Sequence, residues 1–328
     1  MKLLEIKNLE IQFPSRKSTL TAVDNVSLSV DRGDILGIVG ESGAGKSTVG
    51  NALIGLLEPP GIRTNGEIYL EDQRIDDLPE SEKQKIRGKK IGMIFQDPLT
   101  SLNPLQTIET QLVETIDLHL QIGEEKAKQR AMELLGQVGI PDPEIRVKQY
   151  PHQFSGGMRQ RVVVALALCA EPTLIIADEP TTAIDVTTQA QVLSLLRKLQ
   201  QEHQTSIIFI THDLGVIAQL ADDVVVMYLG KVMESGPVDQ IFHNPQHPYT
   251  RALLRSIPTV HTKNRSRLPT ISGSIPHPFQ KRTGCPFVAR CQEALPQQRC
   301  TNQTPVLKAI NKHQSVSCFL HEEGVNVS

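Results

Sequence analysis

The segment Gly40-Glu41-Ser42-Gly43-Ala44-Gly45-Lys46-Ser47-Thr48 directly follows the apolar run Ile35-Leu36-Gly37-Ile38-Val39. Its three glycines allow the backbone to wrap a chain of phosphates, with successive N–H groups turned inward at the start of a helix predicted to begin near Lys46. The lysine of this pattern reaches the β and γ phosphates, and the following serine supplies a hydroxyl group to Mg²⁺. A glycine-rich turn can match by chance, but the strand before the segment and the helical spacing after it favour a nucleoside triphosphate site.

Two carboxylates end a second apolar strand, which the run Thr173-Leu174-Ile175-Ile176-Ala177 predicts. Asp178 is placed to bind Mg²⁺, and Glu179 is placed to polarise the water that attacks the terminal phosphate. The alternative is an acidic strand end that is merely solvated. The catalytic interpretation of the two carboxylates is favoured because they occur together with the glycine-rich segment.

Three further segments supply groups suited to the same chemistry. Gln96 ends the strand predicted over residues 91–95 and can contact both Mg²⁺ and the attacking water. His212 ends the strand predicted over residues 206–211 and can hydrogen-bond the γ phosphate, although a single histidine at a strand end is more often structural. The run Phe154-Ser155-Gly156-Gly157-Met158 opens a predicted helix, so its N–H groups form a second anion site.

Taken in this order, the segments resemble the ATP-binding cassette (ABC) family. The resemblance implies an α/β fold with a RecA-like P-loop NTPase core, an antiparallel β portion and an inserted helical subdomain. It assigns the phosphate-binding loop to residues 40–48, the signature to 154–158, the Walker B strand to 173–179 and the D-loop to 181–185. The implied nucleotide contacts are Phe13, Gly40, Glu41, Ser42, Gly43, Ala44, Gly45, Lys46, Ser47, Thr48, Ser155, Gly156 and Gly157. The implied Mg²⁺ ligands are Ser47, Gln96 and Asp178, and the implied catalytic residues are Glu179, His212, Gln96, Lys46 and Asp185.

In that family two cassettes hold ATP between them in head-to-tail contact, each offering its signature to the other's nucleotide. This sequence has a single phosphate-binding loop, so a second ABC ATPase subunit, most simply a different chain, is the expected partner. Phe13 occupies the position of the ring that stacks on adenine, although it can equally be a core residue of the first strand. The signature departs from the commonest form at Phe154 and Met158, but the phosphate donors Ser155 and Gly157 remain.

Composition suggests about two domains for the 328 residues, and the net charge of −2 gives no reason to expect nucleic acid as a partner. No apolar run approaches the length that spans a bilayer, and the first residues lack the apolar segment of an export signal, so we expect an intracellular protein. We expect a cassette over residues 1–250, with the helical subdomain at about 97–165, and a C-terminal extension over residues 251–328.

The segment His247-Pro248-Tyr249-Thr250-Arg251-Ala252-Leu253-Leu254 resembles the one that follows the cassette in ATPases of dipeptide and oligopeptide importers. The resemblance implies a subunit on the cytoplasmic face of the inner membrane that works with two transmembrane permeases and, indirectly, a periplasmic binding protein. Near-identical cassettes drive nickel, glutathione or antimicrobial-peptide uptake. A soluble ABC protein acting on nucleic acid or ribosomes is the other class, but such chains typically carry two cassettes or a long coiled coil.

Four of the five cysteines, Cys285, Cys291, Cys300 and Cys318, lie in the C-terminal extension. Disulfides are rare inside cells, which leaves a metal site or four unrelated thiols. Their spacing lacks the CxxC pairs of common zinc sites. The resemblance implies a [4Fe–4S] cluster on these cysteines and hence a small metal-binding extension, with Zn²⁺ as the alternative metal. Cys169 is expected to be a small core residue.

Overall fold

The computed structural model describes residues 1–182, 185–257, 271–277, 283–295 and 299–322, without the side chains of Pro98 and Leu99. The chain divides into two compact units. The first contains Met1, residues 30–34 and residues 77–209, and the second contains residues 2–29, 35–76 and 210 onward. The predicted boundary near residue 250 stays a prediction.

Strands and helices alternate over residues 174–228, whereas five consecutive helices lie between residues 94 and 174 in the sequence. The strands are β1 (Lys2–Pro14), β2 (Thr19–Asp31), β3 (Ile35–Val39), β4 (Ile62–Leu70), β5 (Gln73–Arg74), β6 (Ile91–Ile94), β7 (Leu174–Asp178), β8 (Ser206–Thr211), β9 (Asp223–Tyr228), β10 (Lys231–Pro237), β11 (Lys308–Ala309) and β12 (Ser315–Val316). The helices are α1 (Lys46–Leu53), α2 (Glu80–Ile86), α3 (Pro98–Ser101), α4 (Ile108–Leu120), α5 (Glu124–Gln137), α6 (Pro143–Arg146), α7 (Gly156–Leu168), α8 (Val186–His203), α9 (Leu214–Leu220), α10 (Val238–His243), α11 (Pro248–Arg255) and α12 (Arg299–Asn302).

The first unit combines a parallel strand pair with a group of helices. β6 and β7 run parallel, with Ile91 opposite Leu174 and Ile94 opposite Ala177, and every residue of β7 is buried. The helices α4, α5 and α7 follow β6 and precede β7 in the sequence. Of these, α4 and α5 pack on each other and on α7. Their buried residues recur at three- and four-residue spacings because those positions share one face of a helix. This region is therefore helical, whereas the bounds of the subdomain stay a prediction.

The second unit contains an antiparallel sheet that begins the chain. Its strands run in the order β2-β1-β4-β5, and β1 pairs with β4 so that Leu4 lies opposite Leu70 and Ile6 opposite Ile68. These four side chains are buried on one face, as the two-residue period of a strand requires. The antiparallel portion expected beside the P-loop core is thus present.

The same unit contains the strand that leads into the phosphate-binding loop. β3 pairs in parallel with β9, and β9 pairs with β10 in an antiparallel hairpin. β12 then pairs with β10, with Val316 opposite Glu234, and β11 pairs with β12. The C-terminal tail is therefore hydrogen-bonded to the cassette's own sheet. Parallel and antiparallel pairs both occur, which confirms the α/β class.

A bilayer-spanning helix is not found in the described ranges, because none of their helices is both long and apolar enough.

Candidate functional site

The phosphate-binding loop lies between β3 and α1 in the second unit. All five residues of β3 are buried, and α1 begins at Lys46, as predicted. Gly45 has a φ of +94°, and a Cβ atom placed on it would lie 2.4 Å from the carbonyl oxygen of Ala22. A Cβ atom on Gly40 would lie 2.1 Å from the carbonyl oxygen of Met227. The loop thus needs glycine at both ends, because neighbouring backbone leaves no room for a side chain.

Lys46 is buried at the start of α1, with 5% of its surface exposed. Its Nζ donates to the carbonyl oxygens of Gly40, at 2.9 Å, and Glu41, at 3.2 Å. Ser42 and Gly43, in the middle of the loop, are exposed. The loop therefore curls around the ammonium group while its central backbone faces solvent, an arrangement suited to binding an anion.

The carboxylates of the first unit end β7. Asp178 is buried, and Glu179 has a left-handed backbone with a φ of 47°. The Glu179 carboxylate accepts hydrogen bonds from Gln96 Nε2, at 3.2 Å, and from Thr182 Oγ1, at 2.8 Å. A left-handed glutamate costs about 1 kcal/mol and persists where surrounding contacts impose it, often at functional sites. The structure brings Gln96 and Glu179 together, and it adds Thr182, whose contact the sequence gives no means of predicting.

The signature forms the start of α7 in the first unit. Ser155 is the N-cap residue, and its Oγ accepts the N–H group of Met158 at 3.3 Å. A Cβ atom placed on Gly156 would have open space around it among the described residues outside its own helix, whereas one on Gly157 would lie 2.5 Å from Thr188 Cγ2. Phe154 is buried as an apolar anchor before the helix. The predicted helix start is confirmed, and the Ser155 hydroxyl group here caps its own helix.

The remaining predicted site residues lie at the ends of strands and helices. Asp185 caps α8 by accepting the Thr188 N–H group at 3.0 Å, and hydrogen bonding to Thr188 lowers the pKa of the Asp185 carboxyl group. Its neighbours in the D-loop at positions 183 and 184 lie outside the described residues. His212 follows β8 and is exposed. Phe13 is half-buried and packs its ring against the backbone of Gly61. The catalytic and adenine-stacking roles of these residues stay predictions.

The cysteines of the tail share one small cavity in the second unit. Its lining includes Cys285, Cys291, Cys300 and Cys318, and its volume of about 10 Å³ is room for about one water molecule. Burial raises the pKa of the Cys285 thiol to about 12 and that of Cys318 to about 11, which favours neutral thiols.

No three His, Cys, Asp or Glu side chains within the described ranges are placed to hold a metal ion. The predicted metal-binding extension, with its [4Fe–4S] or Zn²⁺ alternatives, is therefore not supported. Cys169 is fully buried, and its predicted core position is confirmed.

His247 lines the same cavity and is 1% exposed. Its Nδ1 accepts the N–H group of Tyr249 at 2.9 Å, so Nε2 carries the proton of the neutral ring. Nε2 has no hydrogen-bond partner among the residues that the structure describes. Burial lowers the pKa of the ring to about 3. In the sequence His247 stands out only as part of the segment 247–254, since nothing local places it beside the cysteines.

The tail also contacts the phosphate-binding loop at a residue pair that the sequence analysis missed. Arg290 donates from Nη1 to Glu41 Oε2, at 2.6 Å, and from Nη2 to Glu41 Oε1, at 3.0 Å. The two residues are 249 positions apart, so no local spacing can reveal the pair.

Two family models match this chain, one over residues 23–182 and one over residues 233–300. The family described as "ABC transporter" matches residues 23–182, and that described as "Oligopeptide/dipeptide transporter, C-terminal region" matches residues 233–300. The chain is similar to the oligopeptide transport ATP-binding protein OppD of Bacillus subtilis, with 48% identity over 99% of this chain and 91% of the relative. It is 42% identical to the dipeptide transport ATP-binding protein DppD of Escherichia coli, over 97% of this chain and 96% of the relative.

Among solved structures, the chain is similar to a dimeric post-hydrolysis state of the ATP-binding cassette MJ0796 bound to ADP and Pi. The TM-score is 0.65 and the identity 30%, over 72% of this chain and 98% of that one.

Proposed function

Because the chain belongs to the ABC transporter family of ATP-binding proteins, we propose that it hydrolyses ATP to energise the uptake of dipeptides and oligopeptides across the inner membrane. The observation that carries the substrate class is the match of residues 233–300 to the C-terminal region of oligopeptide and dipeptide transporters. The alternative is the same cassette driving nickel, glutathione or antimicrobial-peptide uptake. A soluble ABC protein acting on nucleic acid or ribosomes is disfavoured because the tail is of the importer type.

The phosphate-binding loop is proposed to hold the ATP phosphates through its N–H groups and Lys46. The hydroxyl group of Ser47, the amide oxygen of Gln96 and the carboxylate of Asp178 suit Mg²⁺, which prefers oxygen ligands. When bound, Mg²⁺ supplies positive charge to the β- and γ-phosphate oxygens.

Glu179 is proposed as the base that accepts a proton from the attacking water. Gln96 and Thr182 support this role, since both donate hydrogen bonds to its carboxylate and so hold it in one orientation. His212 is proposed to donate to the γ phosphate, Asp185 to shape the D-loop and Phe13 to stack on adenine. Ser155, Gly156 and Gly157 are proposed to contact the ATP on a second cassette.

The proposed assembly places this chain at the cytoplasmic face of the inner membrane as a peripheral subunit. Its partners would be two transmembrane permeases and a second ABC ATPase, most simply a different chain, with a periplasmic binding protein delivering the substrate. The proposal is supported by the names of the relatives, which are ATP-binding proteins of peptide transport.

The proposed function is tested by purifying the assembled transporter from membranes through a tag on this chain. We expect two permeases and a second ATPase to copurify, and proteoliposomes to accumulate a labelled dipeptide only with ATP. Nickel and glutathione are tested in the same assay as the alternative substrates. Uptake of either one without dipeptide uptake would replace the peptide assignment, and purification without permeases would contradict the importer.

We propose that the four cysteines of the tail hold a [4Fe–4S] cluster, with Zn²⁺ as the alternative. The proposal is supported by the convergence of Cys285, Cys291, Cys300 and Cys318 on one cavity, since four thiolates are the donor set of both metal centres. Metal ligation would add stability to a segment with few large apolar residues.

Protein purified without oxygen is then expected to be brown, with about four irons per chain. Replacing any of the four cysteines by serine should bleach it, whereas the matched variant Cys169→Ser should keep the colour because Cys169 lies in the core of the first unit. Iron analysis and visible absorption measure the effect. One zinc per chain with no iron would establish the alternative metal, and metal-free protein would remove the site.

A further inference from the structure

Arg290 connects the C-terminal tail to the phosphate-binding loop through a partly buried, two-point ion pair. Its side chain is 4% exposed, and the partner carboxylate of Glu41 is 23% exposed. Two further N–H groups of the guanidinium group are also used, since Nη1 contacts the Tyr228 hydroxyl group at 3.3 Å and Nε donates to the Ser272 carbonyl oxygen at 3.1 Å. Paired geometry of this kind is stronger and more directional than a lysine contact.

Tyr249 in α11 holds the backbone of the same loop residue. The Tyr249 hydroxyl oxygen accepts the N–H group of Glu41 at 3.1 Å, and Tyr249 is fully buried. The rings of Tyr228, Tyr249 and Phe287 pack with centroids 4.7 to 5.5 Å apart, which fixes the hydroxyl group in place. Glu41 is thus held at its side chain by Arg290 and at its amide by Tyr249.

The charge of Glu41 explains why such a contact matters for the loop. A carboxylate next to a site for a polyphosphate repels the ligand unless a cation neutralises it. Arg290 contacts this carboxylate, and its own burial reduces the screening of the pair by solvent.

We propose that Arg290 is a positioning residue for ATP binding, which neutralises Glu41 and holds the phosphate-binding loop in its binding shape. The inference rests on the proposed role of residues 40–48 in binding phosphate. It makes the C-terminal tail a component of the nucleotide site. Since Arg290 directly precedes Cys291, the four-cysteine cavity and the loop are joined through one short segment.

The test measures the Kd of Mg-ATP for the full-length chain by displacement of a fluorescent ATP analogue. Arg290→Met is expected to weaken binding about tenfold, the order expected for one uncompensated charge near a bound triphosphate. The double variant Arg290→Met with Glu41→Gln should recover to within about threefold of wild type, because the repelling carboxylate is gone.

Arg299→Met is the matched control, since Arg299 lies in the same tail but pairs with Glu322. Its Kd should equal that of the wild type. Wild-type affinity in Arg290→Met would overturn the inference, as would a double variant no better than the single one, because that pattern indicates only lost packing. Lys46→Ala tests the underlying assignment separately, since normal ATP binding by that variant would mean that residues 40–48 are not the phosphate site.

Discussion

Replacing Glu179 by glutamine is expected to slow ATP hydrolysis by the assembled transporter at least about a hundredfold, as for a removed catalytic base. Nucleotide binding should be preserved, because the amide keeps the size of the carboxylate and its contacts with Gln96 and Thr182 can be re-formed. Phosphate release measures the rate, and fluorescent-nucleotide displacement measures the affinity. We therefore expect Glu179→Gln to bind ATP and to retain it.

The matched control is Glu171→Gln, which makes the same change in the same unit at a surface carboxylate paired with Arg130. Its turnover should equal that of the wild type. Wild-type turnover by Glu179→Gln would mean that another group accepts the proton. A parallel loss of ATP affinity would mean instead that Glu179 organises the site rather than the water.

Lys46→Ala is expected to weaken ATP binding about a hundredfold, which corresponds to about 2.8 kcal/mol. The variant loses the buried ammonium group and its two hydrogen bonds to the carbonyl oxygens of Gly40 and Glu41. Those carbonyl groups would then face the phosphates without a compensating charge. Isothermal titration with Mg-ATP measures the change.

Lys7→Ala is the control, because Lys7 lies in the same unit but pairs with Glu5 on the surface. We expect it to bind ATP as the wild type does. If Lys46→Ala bound equally well, the phosphates would have to be held elsewhere. If both variants failed equally, the loss would reflect the folding of the unit and not the loop.

The cysteines show where sequence reasoning reached only part of the answer. Their clustering in the tail indicates a shared purpose, and the structure does place Cys285, Cys291, Cys300 and Cys318 around one cavity. The sequence does not reveal the size of that cavity or the burial that raises the thiol pKa values. The cavity size and the burial of the thiols both depend on Phe287, Phe319 and His247, which lie in different segments of the chain.

The amino-acid sequence by itself determined the parts of this protein that depend on local order. A glycine-rich turn, a helix start at Lys46 and a strand ending in Asp178 and Glu179 are each specified within about ten residues, because phosphate binding uses neighbouring backbone groups. Tertiary structure alone decided that Arg290 neutralises Glu41 and that Tyr249 holds its amide. Those contacts join residues more than two hundred positions apart, and only the packing of the tail on the loop brings their charges and hydrogen-bonding groups together.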